Sequence, residues 1–537
     1  MTDAIAAAAD VARWLRGTLP AGGALVVDSR RVGHGDAFFA YPGERADGRR
    51  HVAQALERGA LALVVEADSH GESGSSAVAD ASVPLRRVAG LKALAGPIAD
   101  AFHGAPTARM DVVAVTGTNG KTSCSQWVAQ GLHASGRRAA VVGTLGAGRL
   151  VDGPAGEGAS VALEDTGLTT PDALSLQALF ARFAADGVGA VAIEASSIGL
   201  HQHRLDGTRI AVAAFTNLTR DHLDYHGTMQ AYAESKARLF AWPGLRAAVV
   251  NLDDPWHPTM LAQLAPGVQR IGYRIEAQGA MPAEAGGSPA CHLAAGEVDR
   301  RLVATSIDAA PRGMRIGLDG DWGRATLESP LLGRFNVSNL LAVAGCWLAL
   351  GLPFDAVVAR LAMLRPVPGR LQAVEADAGG GAPAPLAVVD YAHTPDALAN
   401  ALDALRPVAR ARGGLLWCVF GAGGERDPGK RPLMGAVAQR FADRVVLTSD
   451  NPRGELPEAI LDAVQAGLDA APALRDADRA RAIAETLARA GDADVVLIAG
   501  KGHEPYQEIA GTRHPFLDAE HAARALACRR RTEAAGA

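Results

Sequence analysis

The chain has 537 residues, of which 48% are hydrophobic and 21% charged, and its formal net charge is −5. This length is too great for one hydrophobic core and predicts about three domains. The negative charge disfavours a broad nucleic-acid-binding surface, and no apolar run approaches the roughly 20 residues that span a bilayer. The cysteines lack a CxxC pair, so we expect reduced thiols in a cytoplasmic protein and no disulfide framework or zinc site. They are Cys124, Cys291, Cys346, Cys418 and Cys528.

The first region, residues 1–108, is predicted to be a small α/β domain. Its start is typical of an amphipathic helix and lacks the basic residues of a signal peptide. Ser29 and Arg30 follow the first predicted strand and could bind an anion, although a solvated turn is the more ordinary explanation. The segment 68–83 is typical of a mobile surface loop. Strands are predicted at 25–27, 37–41 and 61–66, and a helix at 51–58.

The stretch at 111–123, DVVAVTGTNGKTS, predicts a buried strand, a tight glycine loop and a helix. Such a loop directs backbone N–H groups at phosphate oxygens, and the helix N-terminus adds about half a positive charge. Lys121 is expected to reach the outer phosphates, and the Thr122 hydroxyl a Mg²⁺ ion. Val115 stands where the strict P-loop has its first glycine, so the pattern is a shorter form beginning at Gly117. A plain strand-to-helix turn is the alternative, but it has no need of Lys-Thr.

Polar residues also follow later strands of the central region, 109–366. Glu194 ends a predicted strand at 191–193, where open α/β sheets bind ligands, and could hold Mg²⁺. Capping of the next helix is the alternative for this residue. The following strand leads to a dense group of acidic and imidazole side chains, Asp221, His222, Asp224 and His226. We interpret His222 as a metal ligand.

Other polar residues of the central region have simple structural explanations. Thr170-Pro171 is a plausible helix N-cap with proline at the first position. Lys236 lies on a predicted helix, where a lone lysine is normally a surface charge. Asn336 could cap a long apolar helix, whereas Asn339 in its first turn has amide groups free to contact a base.

The last region, 367–537, repeats the order of strand, polar loop and helix, which predicts a second doubly wound sheet. Loops at one edge of this sheet are expected to form an arginine-rich pocket. The polar residues that follow its strands are Asp390, Tyr391 and His393, then 450–453, then 500–504. The insertions near 274–300 and 376–385 receive no role.

Motifs spread in order over nearly the whole chain resemble those of the Mur ligase family. They are DSRRV, DAFFAYPG, TGTNGKTS, TTPDA, EASSIGLHQHR, TNLTRDHLDYHG, GRFNVSNL, PGRLQAVE, DYAHTPDAL, GAGGERDPGKRPLMG, SDNPR and GKGHE. The resemblance implies a three-domain α/β fold with a small α/β N-terminal domain, a central P-loop-type ATP-binding parallel sheet and a Rossmann-like C-terminal domain. The implied domains are 1–108 for the UDP-muramyl substrate, 109–366 for ATP and 367–537 for the incoming amino acid. Ile198 stands where many members carry histidine, so that position receives no catalytic role.

The resemblance also implies an activity, that of an ATP-dependent amide ligase of peptidoglycan precursor synthesis. Such an enzyme serves cell-wall biogenesis, cell shape and cell division. It would add meso-diaminopimelate to UDP-N-acetylmuramoyl-L-alanyl-D-glutamate through an acyl-phosphate intermediate, with ATP and Mg²⁺ as cofactors. We expect a cytoplasmic monomer that binds no nucleic acid and does not insert into membranes.

The same resemblance implies a role for individual residues of this chain. The catalytic residues would be Lys121, Lys236, His222 and Glu194. The ATP-binding residues would be Gly117, Thr118, Asn119, Gly120, Lys121, Thr122, Ser123, Asn339, Arg370 and Asp390. The UDP-muramyl-binding residues would be Ser29, Thr169, Thr170, Ser196, Gln202 and Arg204. The diaminopimelate-binding residues would be Arg426, Asp450, Asn451, Pro452, Arg453, Gly500 and Glu504. The metal ligands would be Thr122, Glu194, His222 and a carbamylated Lys236.

Two other function classes compete with this interpretation. A folylpolyglutamate synthetase would share the phosphate loop, but the N-terminal DSR motif and SDNPR disfavour it. A non-catalytic nucleotide-binding scaffold should have lost Lys121, Glu194 or Lys236, and the sequence retains all of them.

Overall fold

The computed structural model describes residues 2–44, 46–67, 82–152, 159–276, 297–310, 313–374 and 384–536. These residues form three larger β-sheets and a separate two-stranded sheet. Most of the predicted surface loop at 68–83 and of the insertions near 274–300 and 376–385 lies outside the described residues, as does Cys291. Within the described ranges, no helix is long and apolar enough to cross a membrane.

The N-terminal residues form a parallel sheet in the order β1-β2-β3-β4. The elements are α1 (Thr2–Thr18), β1 (Leu25–Val26), β2 (Ala37–Ala40), α2 (Val52–Glu57), β3 (Ala62–Glu66), β4 (Leu85–Val88) and α3 (Leu91–Phe102). Leu15 of α1 and Ile98 of α3 pack on Phe39 of β2, in one apolar layer. The turn that holds Ser29 follows β1 directly, so this sheet presents it at a strand end.

The central residues form a sheet in the order β15-β14-β13-β12-β11-β10-β5-β9-β6-β7-β8. Its strands are β5 (Asp111–Thr116), β6 (Ala139–Gly143), β7 (Gly146–Asp152), β8 (Ala159–Val161), β9 (Ala190–Glu194), β10 (Val212–Phe215), β11 (Ala247–Asn251), β12 (Gln269–Ile275), β13 (Arg300–Ala310), β14 (Gly313–Gly320) and β15 (Gly323–Ser329). Strands β13 to β6 in this order are parallel, whereas β14, β15, β7 and β8 add antiparallel edges. The predicted parallel sheet is therefore correct for the centre, and both edges are antiparallel.

Helices cover both faces of the central sheet. They are α4 (Lys121–Ala134), α5 (Ala173–Ala185), α6 (Ser197–His201), α7 (Leu223–His226), α8 (Met229–Ala237), α9 (His257–Leu261), α10 (Arg334–Ala349) and α11 (Phe354–Met363). Trp127 of α4 and Trp347 of α10 are buried on one face, and Phe180 of α5 on the other. The interior positions of strands covered on both faces are apolar without alternation, which explains the apolar runs 112–115 in β5 and 190–193 in β9.

The C-terminal residues form a sheet in the order β16-β17-β21-β18-β19-β20, parallel except for β16. Its strands are β16 (Gln372–Ala373), β17 (Leu386–Asp390), β18 (Leu416–Phe420), β19 (Arg444–Thr448), β20 (Leu474–Asp476) and β21 (Val495–Ala499), and the small sheet contains β22 (Tyr506–Ile509) and β23 (Thr512–Pro515). The helices are α12 (Pro395–Arg412), α13 (Lys430–Phe441), α14 (Pro457–Gln465), α15 (Arg479–Arg489) and α16 (Asp518–Gly536). The predicted second doubly wound sheet is confirmed.

The predicted helix cap at Thr170-Pro171 is wrong. Helix α5 begins at Ala173, and Asp172 is its N-cap, because the Asp172 carboxylate accepts hydrogen bonds from two N–H groups of the first turn. Thr170 is fully buried and donates its hydroxyl to the Glu194 carbonyl at 2.8 Å. A carboxylate was available two residues further on, and it caps the helix as well as threonine would.

The suggested cap at Asn336 is also wrong. Helix α10 begins at Arg334, and Gly333 occupies the N-cap position without a side-chain hydrogen bond. Asn336 lies in the first turn and donates its amide to the Leu332 carbonyl at 2.9 Å. Asn339 lies one turn further along, where its side chain meets the phosphate loop.

Candidate active site

The loop between β5 and α4 lies at the carboxyl edge of the central sheet, as predicted. Asn217, which follows the neighbouring strand β10, fixes the conformation of this loop. Thr118 donates its N–H to the Asn217 carbonyl at 2.8 Å, and Asn119 donates its N–H to Asn217 Oδ1 at 2.9 Å. Asn217 follows β10, which pairs with β5. The phosphate loop is therefore held by its neighbour before any ligand binds.

Two glycines of this loop have positive φ and approach neighbouring side chains closely, so a larger residue would be strained at either position. Gly117 has φ of 151°, and a Cβ atom there would lie 1.9 Å from Thr216 Oγ1. Gly120 has φ of 86°, and its Cβ would lie 2.4 Å from Asn339 Oδ1. The loop packs this closely against β10 on one side and α10 on the other, which brings Asn339 to the edge of the candidate nucleotide site.

Two lysines converge on the phosphate loop. Lys121 Nζ donates to the carbonyls of Gly117 and Thr118, both at 2.8 Å, and Lys236 Nζ donates to the Gly117 carbonyl, also at 2.8 Å. Burial lowers the pKa of both lysines, and for Lys236, which is 1% exposed, the neighbouring Lys121 charge lowers it further. Lys236 is therefore a buried amine beside the phosphate loop, and its interpretation as a surface charge is wrong.

Glu194 ends β9, and its side chain points to the end of the neighbouring strand β6. Its Oε1 accepts the N–H of Thr144 at 2.8 Å, and its Oε2 accepts the Thr144 hydroxyl at 2.9 Å. Glu194 is 1% exposed. Thr144 also lies 3.1 Å from the hydroxyl of Thr169. Thr144 was missed in the sequence, although its place directly after β6 could have indicated a site residue.

His222 lies in the left-handed region with φ of 52°, and its Nε2 is 3.5 Å from Asp221 Oδ2. Burial disfavours the Asp221 carboxylate, but nearby imidazoles and Lys430 outweigh this and lower its pKa to about 2. His226 turns to Ser197 instead, with 2.9 Å between Nε2 and Oγ. Among the described residues, no three His, Cys, Asp or Glu side chains are grouped closely enough to hold a metal. The dense sequence cluster therefore does not form a metal site from its own side chains.

Two residues next to strands of the C-terminal sheet contact the phosphate loop and the start of α4. Arg370 Nη2 donates to the Thr122 hydroxyl at 3.0 Å, and Asn119 Nδ2 donates to Asp396 Oδ2 at 3.0 Å. Asp396 lies in the first turn of α12, after the motif DYAHTP, and was not predicted. These hydrogen bonds place a second sheet opposite the phosphate loop.

Asp390 ends β17 below these contacts. Its Oδ2 accepts the N–H of Leu371 at 2.7 Å, and burial raises its pKa to about 6, although Arg370 acts in the opposite direction. A carboxylate of this kind is poorly solvated, so a cationic partner in the cleft would stabilise its ionised form.

One cavity of about 140 Å³ lies between the central and C-terminal sheets. Many of the predicted catalytic, ATP-binding and metal-binding residues line it, and Gly117, Asn339 and Asp390 adjoin it through the contacts above. The lining residues from these sets are Thr118, Asn119, Gly120, Lys121, Thr122, Ser123, Glu194, His222, Lys236 and Arg370. Thr169 and Ser196 line the same cavity.

The predicted UDP-muramyl residues fall into two places. Five of them form or adjoin a network at the central cavity, in which Arg204 donates to the Thr170 carbonyl at 2.9 Å and to Gln202 Oε1 at 2.6 Å. The Thr170 hydroxyl lies 2.9 Å from that of Ser196. Ser29 lies apart, on the first sheet, and donates to Gln54 Oε1 at 2.7 Å.

A second, larger cavity of about 620 Å³ begins beside Ser29. It lies between the first sheet and α5, and its lining includes Asp28, Arg31, Pro171 and Asp172. The motifs DSRRV and TTPDA thus meet at one cavity. Its volume is within the usual range of about 300–1,000 Å³ for ligand sites.

Several predicted diaminopimelate residues form a connected group at the carboxyl edge of the C-terminal sheet. Asn451 Nδ2 donates to Glu504 Oε2 at 2.7 Å, and the Tyr391 hydroxyl donates to Glu504 Oε1 at 3.3 Å. Lys501 was not predicted. It is fully buried, and its Nζ donates to both Asn451 Oδ1 and Glu504 Oε2 at 3.2 Å.

The remaining residues of that set surround this group. A Cβ atom at Gly500 would lie 2.3 Å from Asp450 Oδ2, so glycine permits the two loops to touch. Arg453, which follows Pro452, has φ of 51° and donates from Nη1 to the Gly424 carbonyl at 2.6 Å. Arg426 is exposed.

The phosphate loop and the C-terminal doubly wound sheet share one polar cavity, and a smaller sheet lies beside them. These features are those of a multidomain α/β nucleotide-binding protein. Comparison with known proteins identifies the family. The Mur ligase family, catalytic domain matches residues 24–101, the Mur ligase middle domain matches 115–347, and the Mur ligase, glutamate ligase domain matches 369–502. The chain belongs to the Mur ligase family.

Relatives cover almost the whole chain. The UDP-N-acetylmuramoyl-L-alanyl-D-glutamate--2,6-diaminopimelate ligase of Ralstonia nicotianae is 49% identical over 97% of this chain and 96% of its own length. The ligase of the same name from Pseudomonas aeruginosa is 46% identical over 94% of each chain. The predicted family resemblance is confirmed.

Solved structures agree with these relatives. A structure of a ligase with the same name is 36% identical, with a TM-score of 0.61, over 94% of this chain and 95% of its own. A folylpolyglutamate synthase from Mycobacterium tuberculosis is 20% identical, with a TM-score of 0.55 over 75% of this chain and 91% of its own, which shows a shared fold alone. The predicted three-domain α/β fold is confirmed.

Proposed function

We propose that this protein is an ATP-dependent ligase that adds meso-diaminopimelate to UDP-N-acetylmuramoyl-L-alanyl-D-glutamate in peptidoglycan precursor synthesis. The observation that carries the proposal is the cavity in which the phosphate loop, Glu194 and Lys236 face Arg370 of the C-terminal part. The names of near full-length relatives supply the substrates. We assign 1–108 to the UDP-muramyl substrate, 109–366 to ATP and 367–537 to the incoming amino acid.

The reaction needs two displacements. A carboxylate does not accept an amine at neutral pH, so a carboxylate oxygen first attacks the γ-phosphorus of ATP, and ADP leaves. The amine nitrogen then attacks the acyl carbon of the acyl phosphate, the C–O bond to phosphate breaks, and the nitrogen loses a proton. Several negative charges meet in the first step, so fixed N–H donors and cations are needed there.

The phosphate loop supplies these donors. Its N–H groups lie at the start of α4, and Lys121 replaces its contacts with the Gly117 and Thr118 carbonyls by contacts with phosphate oxygens when ATP binds. Arg370 reaches the same place from the C-terminal part. Asn339 lies against Gly120, where its amide can contact the base or ribose.

The residues present fit a Mg²⁺ ion. Mg²⁺ takes oxygen ligands, usually one or two carboxylates together with phosphates and water. Thr122 and Glu194 supply such oxygens in one cavity, and His222 lies there as a further candidate. A bound Mg²⁺ would neutralise charge on the transferred phosphoryl group.

Lys236 is suited to carbamylation. Burial disfavours its ammonium form, so the neutral amine is available to add CO₂, forming an N–C bond and releasing one proton. The resulting anion would be attracted to the Lys121 ammonium and would provide oxygens for a second Mg²⁺.

We assign the UDP-muramyl substrate to the two cavities described above. The nucleotide would occupy the larger one, beside Ser29, because the first sheet and α5 enclose it. The peptide end would extend past Arg204 and Ser196 to the central cavity, where its carboxylate can meet ATP.

Diaminopimelate and lysine differ by one carboxylate at the far end of the side chain. Arg453 can recognise this group. Among the described residues, only its Nη1 has an acceptor within hydrogen-bond distance, and Glu508 Oε2 lies 3.9 Å from Nε, so other guanidinium N–H groups are available to a carboxylate. A site built for a polar group can reject the analogue that lacks it by roughly 10⁴-fold.

Arg453→Ala should therefore raise the diaminopimelate KM far more than the ATP KM and reduce the preference over L-lysine. Arg324→Ala, in the exposed strand β15, is the control and should change neither. Equal use of lysine and diaminopimelate by the wild type would contradict this assignment, as would an unchanged preference in Arg453→Ala.

The experiment that tests the proposed function is phosphate release from ATP with each component omitted in turn. Release should require the UDP-muramyl dipeptide, meso-diaminopimelate and ATP together. Release with ATP alone, or amide formation without ATP, would contradict the proposal. We also propose a cytoplasmic location, because both nucleotide substrates of the proposed reaction occur there.

A further inference from the structure

Arg479 and Asp518 form an ion pair in which both side chains are fully buried. Arg479 is the first residue of α15, and Asp518 is the first residue of α16. Arg479 Nε donates to Asp518 Oδ1 and Arg479 Nη2 to Asp518 Oδ2, both at 2.7 Å. This bidentate geometry fixes the plane of the guanidinium.

The other guanidinium hydrogen bonds go to the backbone at two strand ends. Arg479 Nη1 donates to the Ser449 carbonyl at 3.1 Å, directly after β19, and Nη2 donates to the Ala499 carbonyl at 2.9 Å, the last residue of β21. Strand β18 lies between β19 and β21 but ends at Phe420. Its last pairs are with Leu447 and Ile498. Arg479 therefore connects two strands beyond the point where the strand between them stops.

The residues that follow Ser449 and Ala499 in the chain belong to the amine-binding site assigned above. Asp450 and Asn451 follow Ser449, and Gly500 follows Ala499. The two loops touch, since a Cβ at Gly500 would lie 2.3 Å from Asp450 Oδ2. A small change in the distance between the strand ends would separate groups that now lie in contact.

We propose that Arg479, oriented by Asp518, is a positioning residue of the amine-binding site. It sets the spacing between the loop after β19 and the loop after β21, and through that spacing the affinity for the incoming amino acid. The identity of that site rests on the proposed function. Arg479 itself is buried behind the loops and touches no substrate.

The alternative is that the pair only stabilises the domain, and a double variant separates the two roles. Removing one partner of a buried pair is strongly destabilising, whereas replacing both by apolar residues is often neutral. Arg479→Met with Asp518→Leu therefore keeps a packed core but loses both contacts to the strand ends. Arg479→Lys is a second variant, which retains a charge for Asp518 but cannot reach both carbonyls.

A partly exposed ion pair at the opposite end of the same strands serves as the control. Arg406 and Asp443 form an ion pair next to the starts of β18 and β19, far from the amine-binding loops. Arg406→Met with Asp443→Leu should leave the amine KM unchanged. This control shows how the loss of an ion pair in this sheet affects the amine KM when the amine-binding loops are not disturbed.

In the Arg479 and Asp518 double variant, the KM for meso-diaminopimelate should rise about tenfold to a hundredfold, as expected for misplaced binding groups. The ATP KM should stay within about twofold of wild type, and Arg479→Lys should give an intermediate amine KM. An unchanged amine KM in either folded variant, or an equal rise in both KM values, would overturn the proposal.

Hydrogen exchange gives a test that does not depend on the substrate assignment. The amides of Asp450, Asn451 and Arg453 and those of 500–504 should exchange faster in both Arg479 variants, while those of β5 do not change. If the wild-type protein does not use meso-diaminopimelate, the proposed function is wrong. The hydrogen-exchange measurement still tests whether Arg479 positions the two loops. Unchanged exchange in the two loops would overturn it.

Discussion

Replacing Asp390 by asparagine should stabilise the C-terminal sheet at neutral pH and lower ATP turnover. Asp390 is 9% exposed and accepts the N–H of Leu371. Asparagine has an oxygen that can accept the same hydrogen bond without a charge. Burial raises the pKa of Asp390 from 3.8 to about 6, so folding disfavours its ionised form.

The size and sign of the effect follow from this shift. A difference of about two pKa units corresponds to about 3 kcal/mol. Between pH values of about 4 and about 6, the folded state binds more protons at this site than the unfolded state, so wild-type stability falls as the pH rises. Above about pH 6 the whole cost is present, and below about pH 4 it is absent. The Asp390→Asn variant would carry no such cost, so its advantage should grow through this interval.

Hydrogen exchange of the β17 and β21 amides measures the unfolding free energy of this sheet directly. The Asp390→Asn variant should gain protection over wild type, and the gain should be larger at about pH 7.5 than at about pH 5. Phosphate release should fall, because the carboxylate is assigned to the ATP site. A loss of protection at both pH values, or a gain independent of pH, would refute the reasoning.

Asp443 provides a control of opposite sign in the same sheet. Burial opposes its ionised form, but hydrogen bonds from Arg406 and from the Leu416 N–H outweigh this and lower its pKa. Its ionised form therefore contributes stability above the unfolded pKa of 3.8, and this is lost as the pH falls through the folded pKa. Asp443→Asn should lose protection at neutral pH, where Asp390→Asn gains it.

Three further substitutions test the phosphate loop. Gly120→Ala should raise the ATP KM by about tenfold or more, because the left-handed backbone costs about 1–2 kcal/mol and the new Cβ would meet Asn339; an unchanged KM would contradict this. Lys121→Ala should abolish phosphate release without lowering the Tm, and near-normal turnover would refute the ATP assignment. Lys236→Ala should be nearly inactive and not rescued by bicarbonate, whereas a small organic acid should restore part of the activity; wild-type activity would show that Lys236 has no role.

The phosphate loop could be predicted because the residues that determine it are adjacent in the sequence. Its strand, glycines and Lys-Thr pair are adjacent in sequence, and each has a physical requirement that few other residues satisfy. The same holds for Glu194 and Asp390, since a carboxylate at the end of an apolar strand indicates the ligand edge of a sheet. These residues lie where the sequence analysis placed them.

Contacts between distant segments could not be predicted in this way. The burial of Lys236 depends on α8 packing beside the phosphate loop, and nothing in the helix itself distinguishes it from a surface lysine. Asp396 meets Asn119 only because two sheets face each other. The cap of α5 was missed for a local reason, since Thr170 and Asp172 are both good caps and burial of Thr170 decides between them.

The most direct test of the proposed ligase reaction follows the carboxylate oxygen. The substrate is UDP-N-acetylmuramoyl-L-alanyl-D-glutamate with heavy oxygen in its glutamyl carboxylates. It is incubated with ATP, meso-diaminopimelate and the wild-type protein, and the masses of the products are measured by mass spectrometry. The acyl-phosphate route predicts an amide product containing diaminopimelate, ADP, and inorganic phosphate that carries the label. Label in AMP, unlabelled phosphate, or no amide product would contradict it.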